Sequence, residues 1–267
     1  MSYRIGVMGC GGRMGQMLVR EIATTPGCVV AGGTESPSSD KVGRDVGELA
    51  GLAALGIKVA ADPAAVFDAA DAVIDFTVPA ASVAHARLAA AKGKVLVIGT
   101  TGMSAADDAA ITEAAKRAPI VRAPNMSLAV NLLFALTEQV AARLGPEFDI
   151  EIFEIHHRHK IDAPSGTALA LGEAAARGRG VKLNDVAVRA RDGHTGARPT
   201  GAIGFAALRG GAEVGDHTVM FCGPAERIEL THKAASRQIY ASGAVKAALW
   251  ARDRKPGLYG MRDVLNL

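Results

Sequence analysis

The sequence predicts an α/β protein: a doubly wound parallel sheet in the first half, then a separate strand-rich α+β region. Three observations predict it. Short apolar runs alternate with alanine-rich helical stretches up to about residue 123, the signature of strand–helix units on a parallel sheet. A glycine-rich turn stands between the first such run and the first helical stretch. From residue 186 to 230 strand signals and glycines dominate, with no long helical period, which reads as a largely antiparallel or mixed sheet.

In order, residues 4–8 read as a strand, 13–24 as a helix, 28–34 as a second strand and 72–76 as a third. A helix follows over 80–92, a strand over 94–98, a helix over 104–117 and a strand over 120–123. After Asn125 the pattern changes. Residues 128–144 form a long helix, 148–157 a strand, and a further helix follows Pro164. Residues 187–191, 202–208, 217–221 and 227–230 are strand candidates, and 191–204 is polar, glycine-rich and at least partly loop. A helix over 241–252 and an extended tail finish the chain.

The 267 residues are 49% hydrophobic, enough for one large core or two modest ones. Aromatics make up only 4%, so small side chains must pack helices closely on the sheets. A formal net charge of +3 is too mild and dispersed for nucleic acid, and compatible with small anions. Cys10, Cys28 and Cys222 form no paired framework, which favours a reducing compartment. With no signal-like start and no membrane-length apolar run, a cytoplasmic protein without membrane partners is expected.

Gly9-Cys10-Gly11-Gly12-Arg13-Met14-Gly15 follows a strand and opens a helix, the context a dinucleotide-binding turn requires. The glycines let backbone approach a pyrophosphate, and the helix start supplies N–H donors. The spacing reads as Gly9-x-x-Gly12-x-x-Gly15, because Met14 stands where a strict GxGxxG has its third glycine. Glu35 ends the second strand about 20 residues on, where an acid takes the ribose hydroxyls. Its neighbours are Ser36, Pro37, Ser38 and Ser39, with no adjacent arginine for a 2′-phosphate, so NADH is favoured, or both NADH and NADPH are used. Two more strand ends, Gly99-Thr100-Thr101-Gly102 and Ala123-Pro124-Asn125-Met126-Ser127, are candidates for the nicotinamide half.

The run Glu154 to Thr167 carries His156, His157, Arg158, His159 and Lys160, then Pro164 and the helix start Ser165-Gly166-Thr167. Proton-carrying cations beside a helix N-terminus suit a carboxylate or phosphate substrate. If the strand continued, His156 and Arg158 would face one way and His157 and His159 the other, so the cluster divides into separate roles. Histidine titrates near neutrality, and neighbouring cations favour its neutral form. Arg158, Lys160 and the lack of a nearby cysteine oppose a metal, and none is expected.

Taken together, G-C-G-G-R-M-G, the D-F-T at Asp75–Thr77, G-T-T-G at Gly99–Gly102, N-M-S at Asn125–Ser127, E-I-H-H-R-H-K-I-D-A-P-S-G-T-A and the ending A-L-W…G-L-Y-G-M-R-D-V-L make the chain resemble the 4-hydroxy-tetrahydrodipicolinate (dihydrodipicolinate) reductase family of bacterial lysine biosynthesis. The resemblance spans essentially the whole chain. It implies a Rossmann-like nucleotide domain over residues 1–127 and 237–267, and a substrate-binding, oligomerisation domain with an open mixed sheet over 128–236. It implies reduction of a cyclic dicarboxylate by NAD(P)H with loss of water, and a homotetramer. It gives His156 and Lys160 as catalytic proton donors. His157, Gly166 and Thr167 would bind substrate. Gly9, Cys10, Gly11, Gly12, Arg13, Met14, Glu35, Gly99, Thr100, Thr101, Ala123, Pro124, Asn125 and Met126 would bind cofactor. The family commonly has arginine where this chain has Ser36, a departure that bears on NADPH selectivity.

Two other readings compete. A non-catalytic dinucleotide sensor on the same fold has no use for a proton-donating His–Lys pair beside an anion-binding helix start. Another small-carboxylate dehydrogenase is the third. A cysteine-nucleophile aldehyde dehydrogenase is disfavoured, because Cys222 has no histidine close in sequence.

Overall fold

The structure is a computed structural model that describes residues 2–267. Its elements are β1 (Tyr3–Met8), α1 (Arg13–Thr24), β2 (Cys28–Thr34), α2 (Val46–Leu49), α3 (Pro63–Ala69), β3 (Ala72–Asp75), α4 (Pro79–Lys92), β4 (Val95–Ile98), α5 (Ala105–Ala115), β5 (Pro119–Arg122) and α6 (Leu128–Arg143). There follow β6 (Asp149–His156), α7 (Gly166–Gly178), α8 (Leu183–Val186), β7 (Ala187–Val188), β8 (Ile203–Arg209), β9 (Asp216–Cys222), β10 (Arg227–Lys233), α9 (Gln238–Ala251), β11 (Gly257–Tyr259) and α10 (Met261–Leu265). Contacts divide the chain into two compact units, Met1–Leu128 with Gln238–Leu267, and Ala129–Arg237.

In the first unit six parallel strands run in the order β11-β5-β4-β3-β1-β2. The chain leaves β1 for β2 on one side, then returns to β3 on the other. The topological switch therefore lies between β1 and β3, and ligands of such sheets bind outside the carboxyl ends of the strands there. Successive residues face opposite sides. Ile74 and Val97 pack with residues of α1 and α9, whereas Val73 and Leu96 pack with residues of α3, α4 and α5. Both faces are thus buried, which explains why β4 reads as a continuous apolar run and β3 as one up to Asp75. On α9, Ala241, Ala244, Ala247, Ala248 and Ala251 are all buried, and these small side chains let its backbone lie close to the sheet.

The tail expected to be merely extended contains β11, which pairs with β5, and α10. Three residues are too few for a periodic signal, and the pairing depends on a neighbour more than 130 residues away. The short helices α2 and α3 escaped notice for the same reason of length. Each is announced only by its cap: Asp45 Oδ1 accepts from Gly47 N and Glu48 N, and Asp62 Oδ1 accepts from Ala64 N.

The second unit holds a mixed five-stranded sheet, β10-β9-β6-β8-β7. β6 is central, parallel to β8 and antiparallel to β9. Ile150, Ile152, Phe205, Val219 and Phe221 line its inner face with Leu133 of α6 and Leu171 of α7. The strand expected over 187–191 is only the two residues of β7, because the chain turns into the long glycine-rich loop before β8.

Candidate functional sites

In the first unit, Gly9, Cys10, Gly11 and Gly12 make the whole connection from β1 to α1. Gly9 has φ of +68°, a conformation that favours glycine. A Cβ on Gly15 would lie 2.0 Å from Gly9 O and 2.6 Å from Cys10 Cα. Both obstacles are backbone, so only glycine lets α1 rest on the turn. The helix begins after Gly12 with no side-chain cap, which leaves the N–H groups of Arg13 and Met14 uncapped by any side chain, as an anion cradle requires. Across the turn, Gly11 N donates to Glu35 Oε1 at 2.8 Å and Lys41 Nζ donates to Gly11 O at 2.7 Å. The acid at the end of β2 is thereby set against the glycine turn. Cys10 is buried, and burial first, then the Glu35 charge, pushes its thiol up to about 12. It is inert, and contributes packing and backbone.

Thr100, in the loop after β4, belongs to a buried polar network. Thr77 N and Ser82 Oγ donate to its Oγ1 at 3.0 and 2.8 Å. Asp75, fully buried at the end of β3, accepts from Thr77 N and Thr77 Oγ1 and pairs with His85 Nδ1 at 2.9 Å. Gly99 and Thr101 flank this anchor. In the next loop Asn125 Oδ1 accepts from Ser127 N at 2.9 Å. Met126 and Ala123 are buried, and α9 passes so near that a Cβ on Gly243 would lie 1.8 Å from Met126 O. Pro124, between them, is exposed. Turn, acid and both loops all follow carboxyl ends of the parallel strands. They fit a dinucleotide: a glycine cradle for its phosphates, and an acid for its ribose.

In the second unit, β6 ends at His156. His157 N donates to Glu213 O, and Lys160 N to His157 O, so residues 157–160 turn. The expected alternation of His157, Arg158 and His159 along a strand therefore does not hold. The chain leaves the sheet because β8 also ends, at Arg209 opposite His156. Lys160 Nζ donates to Asp162 at 2.7 and 2.9 Å, a hydrogen bond that leads the effects holding the Asp162 carboxyl below its usual range. Ser165 caps α7, its Oγ accepting from Ala168 N at 3.1 Å, and Gly166 and Thr167 form the first turn.

Alternation within β6 does hold for Glu154 and His156. Glu154, 1% exposed, lies 2.6 Å from His156 Nδ1 through Oε2. Arg209 Nη1 and Nη2 donate to its two oxygens, each at 2.8 Å, and Ser165 N donates to Oε1 at 3.0 Å. Burial alone would push this carboxyl up, but Arg209, His156 and Ser165 N outweigh it and hold it below its ordinary value. Opposite Glu154 on β9 is buried His217, its ring 5.1 Å from that of His156 and its Nε2 3.0 Å from Ser165 Oγ. Burial, then the nearby His156, pushes His217 down to about 4, so it is neutral at pH 7. His157 is lowered by partial burial and then by Arg237, whose Nη2 is 3.4 Å from its Nε2.

This unit thus brings together His156, the start of α7 at Gly166 and Thr167, and the loop bearing His157 and Lys160. Glu154, Arg209 and His217 were not singled out from the sequence. The i, i+2 spacing of Glu154 and His156 on a strand was the available signal for the first. For the other two there was none, since their partners are 55 and 52 residues away. Among the described residues no group of His, Cys, Asp and Glu could hold a metal ion, and no helix is long and apolar enough to cross a membrane.

Two family models match the chain: the N-terminal part of dihydrodipicolinate reductase over residues 3–126 and the C-terminal part over residues 129–265. A 4-hydroxy-tetrahydrodipicolinate reductase of Rhodopseudomonas palustris (strain BisB18) is 60% identical over 266 residues, covering 100% of this chain and 98% of the relative. One from Brucella abortus (strain 2308) is 58% identical over 262 residues, covering 98% of each. Among solved structures, a dipicolinate-bound dihydrodipicolinate reductase from Paenisporosarcina sp. TG-14 matches with a TM-score of 0.78 at 24% identity, over 98% of this chain and 99% of that one. That likeness shows the shared fold.

Proposed function

The chain belongs to the dihydrodipicolinate reductase family, and from that premise we propose that it is a cytoplasmic enzyme of the diaminopimelate route of lysine biosynthesis. It reduces 4-hydroxy-tetrahydrodipicolinate to tetrahydrodipicolinate, with NAD(P)H and a proton consumed and water and NAD(P)⁺ formed. The observation that carries this reading is the conjunction in the second unit: an imidazole, an ammonium and the start of α7 on one segment, with the imidazole oriented by a buried carboxylate.

The reduced nicotinamide, when bound, supplies the hydride. The chain does the rest. Gly9 through Met14 cradle the phosphates, with the uncapped N–H groups of Arg13 and Met14 as donors and the glycines admitting the close approach, and Glu35 takes the adenosine ribose. Gly99, Thr100, Thr101, Ala123, Pro124, Asn125 and Met126 orient the other half. Gly166 and Thr167 receive a substrate carboxylate at the helix start, where N–H donors and the helix dipole favour an anion. His157 assists them. His156 and Lys160 donate protons as water leaves and the ring is reduced.

Ser36 and Ser38, whose hydroxyls lie 3.1 Å apart, follow Glu35 in place of a cation, so NADH is the favoured cofactor. The outer face of the second sheet carries Phe153, Ile155, Leu208 and Met220, and Leu208 is 43% exposed. Such a face calls for a partner, and a homotetramer built on it is the expected assembly.

The test is a coupled assay in which the hydroxy-tetrahydrodipicolinate is generated in place and cofactor oxidation is followed with NADH and with NADPH. Substrate-dependent oxidation, faster with NADH, is expected. No oxidation of either cofactor would end this reading.

A further inference from the structure

One buried carboxylate ties together every part of the second unit's site except the histidine at 157. Glu154 meets His156 Nδ1 with one oxygen and Ser165 N with the other, and Arg209 closes the pair from both sides. Arg209 Nη2 also donates to Asp162 O at 2.7 Å, in the loop that carries Lys160. So the strand end that bears His156, the loop and the start of α7 are all anchored on a single ion pair.

The chemistry of the acceptor dictates the rest. A carboxylate engaged by a guanidinium is ionised and has no proton to give. At 2.6 Å its partner nitrogen must be the donor, which makes His156 Nδ1 the N–H end of the imidazole. Nε2 is left as the working nitrogen. Its surroundings agree: a Cβ on Gly215 would come within 2.6 Å of Nε2, and Gly215 has φ of +151°. Glycine there keeps a side chain from covering that nitrogen.

We propose that Glu154, backed by Arg209, is a positioning residue of the reaction: it keeps the hydrogen on His156 Nδ1, so that the imidazolium releases its proton from Nε2 and becomes the Nδ1–H neutral ring, and it sets the start of α7 beside the same ring. This rests on His156 being a proton donor. Fixing a tautomer is a kinetic function, distinct from the stability that any buried ion pair might bring.

The experiment compares H156A, E154Q and the double variant in steady state, with NADH affinity as the control, since the cofactor residues are in the other unit. E154Q should lower kcat by about 10- to 100-fold with NADH affinity unchanged, because a glutamine amide can donate to Nδ1 and impose the wrong tautomer. In the H156A background the same change should alter kcat less than about twofold, since the group through which it acts is gone. A rise in KM should persist there, from the loosened helix start. Independently of any variant folding, ¹⁵N shifts of the neutral His156 ring in the wild-type protein should show Nδ1 protonated and Nε2 bare. Full kcat in E154Q beside a collapsed H156A, additive losses in kcat, or an Nε2–H ring in the wild type would each overturn the positioning role while leaving His156 as donor. Near-normal turnover in H156A would instead overturn the role of His156, and this proposal with it.

Discussion

The two candidate sites are built differently. The first uses backbone: glycines, a bare helix start and N–H groups, with Glu35 and Lys41 pinned to Gly11. The second uses side chains: a histidine, a lysine and a capped helix start held by a buried carboxylate–guanidinium pair. Backbone recognition suits a cofactor whose phosphates need only cradling, and it requires no titratable group. Proton transfer does, and a titratable group in a buried place needs partners that set its tautomer and charge. The first site is therefore written locally, in glycines. The second is assembled from strands far apart in sequence.

That contrast can be broken most directly at the proposed proton donors. H156A and K160A should each lower kcat by about 10²–10⁴-fold, the usual worth of general acid catalysis, while NADH binding measured by fluorescence stays intact. Near-normal turnover in both variants would mean that the second unit only binds.

A smaller effect should appear in stability against pH. His217 titrates near 4 in the folded protein and near 6.5 when unfolded. Between those values the unfolded chain binds more protons, so the neutral ring's contribution is complete above about pH 6.5 and is lost as pH falls toward 4. The gap is worth roughly 3 kcal/mol. H217N should flatten the dependence of the urea midpoint over that window; an unchanged slope would show that the ring is not buried neutral.

In the first unit, G15A should weaken NADH binding by about tenfold or more and cost about 1–3 kcal/mol in stability, because the added methyl meets Gly9 O and Cys10 Cα, neither of which can yield. Binding equal to wild type would show that the turn is looser than its geometry. The smallest change is expected from S36R, which should raise kcat/KM with NADPH several-fold relative to NADH, an arginine beside the acid being the usual partner of a 2′-phosphate. No change would point to Lys41, already at Gly11 O, as the cation that serves the phosphate.

Local pattern and tertiary pairing contributed unequally to what could be read. The parallel sheet was legible because β1, β3, β4 and β5 are apolar runs punctuated by helical stretches, and the glycine turn because its residues are sequential. His156, His157, Lys160, Gly166 and Thr167 stood out because chemistry-bearing residues crowd one short segment. The division of that segment was misread, since a strand's end depends on where its neighbours β8 and β9 stop pairing. β11 went unseen for a similar reason: a three-residue strand has no periodicity, only a partner.

By itself, then, the sequence determined the α/β class, the glycine turn between the first strand and helix, and the segment where imidazoles, an ammonium and a helix start crowd together, because each rests on residues close along the chain. Only the tertiary structure decided that Glu154 and Arg209 hold His156, that His217 lies neutral against it, and that Asp75 and His85 anchor the loop of Thr100. Those contacts follow from strand register and burial, which bring together residues that local sequence cannot relate.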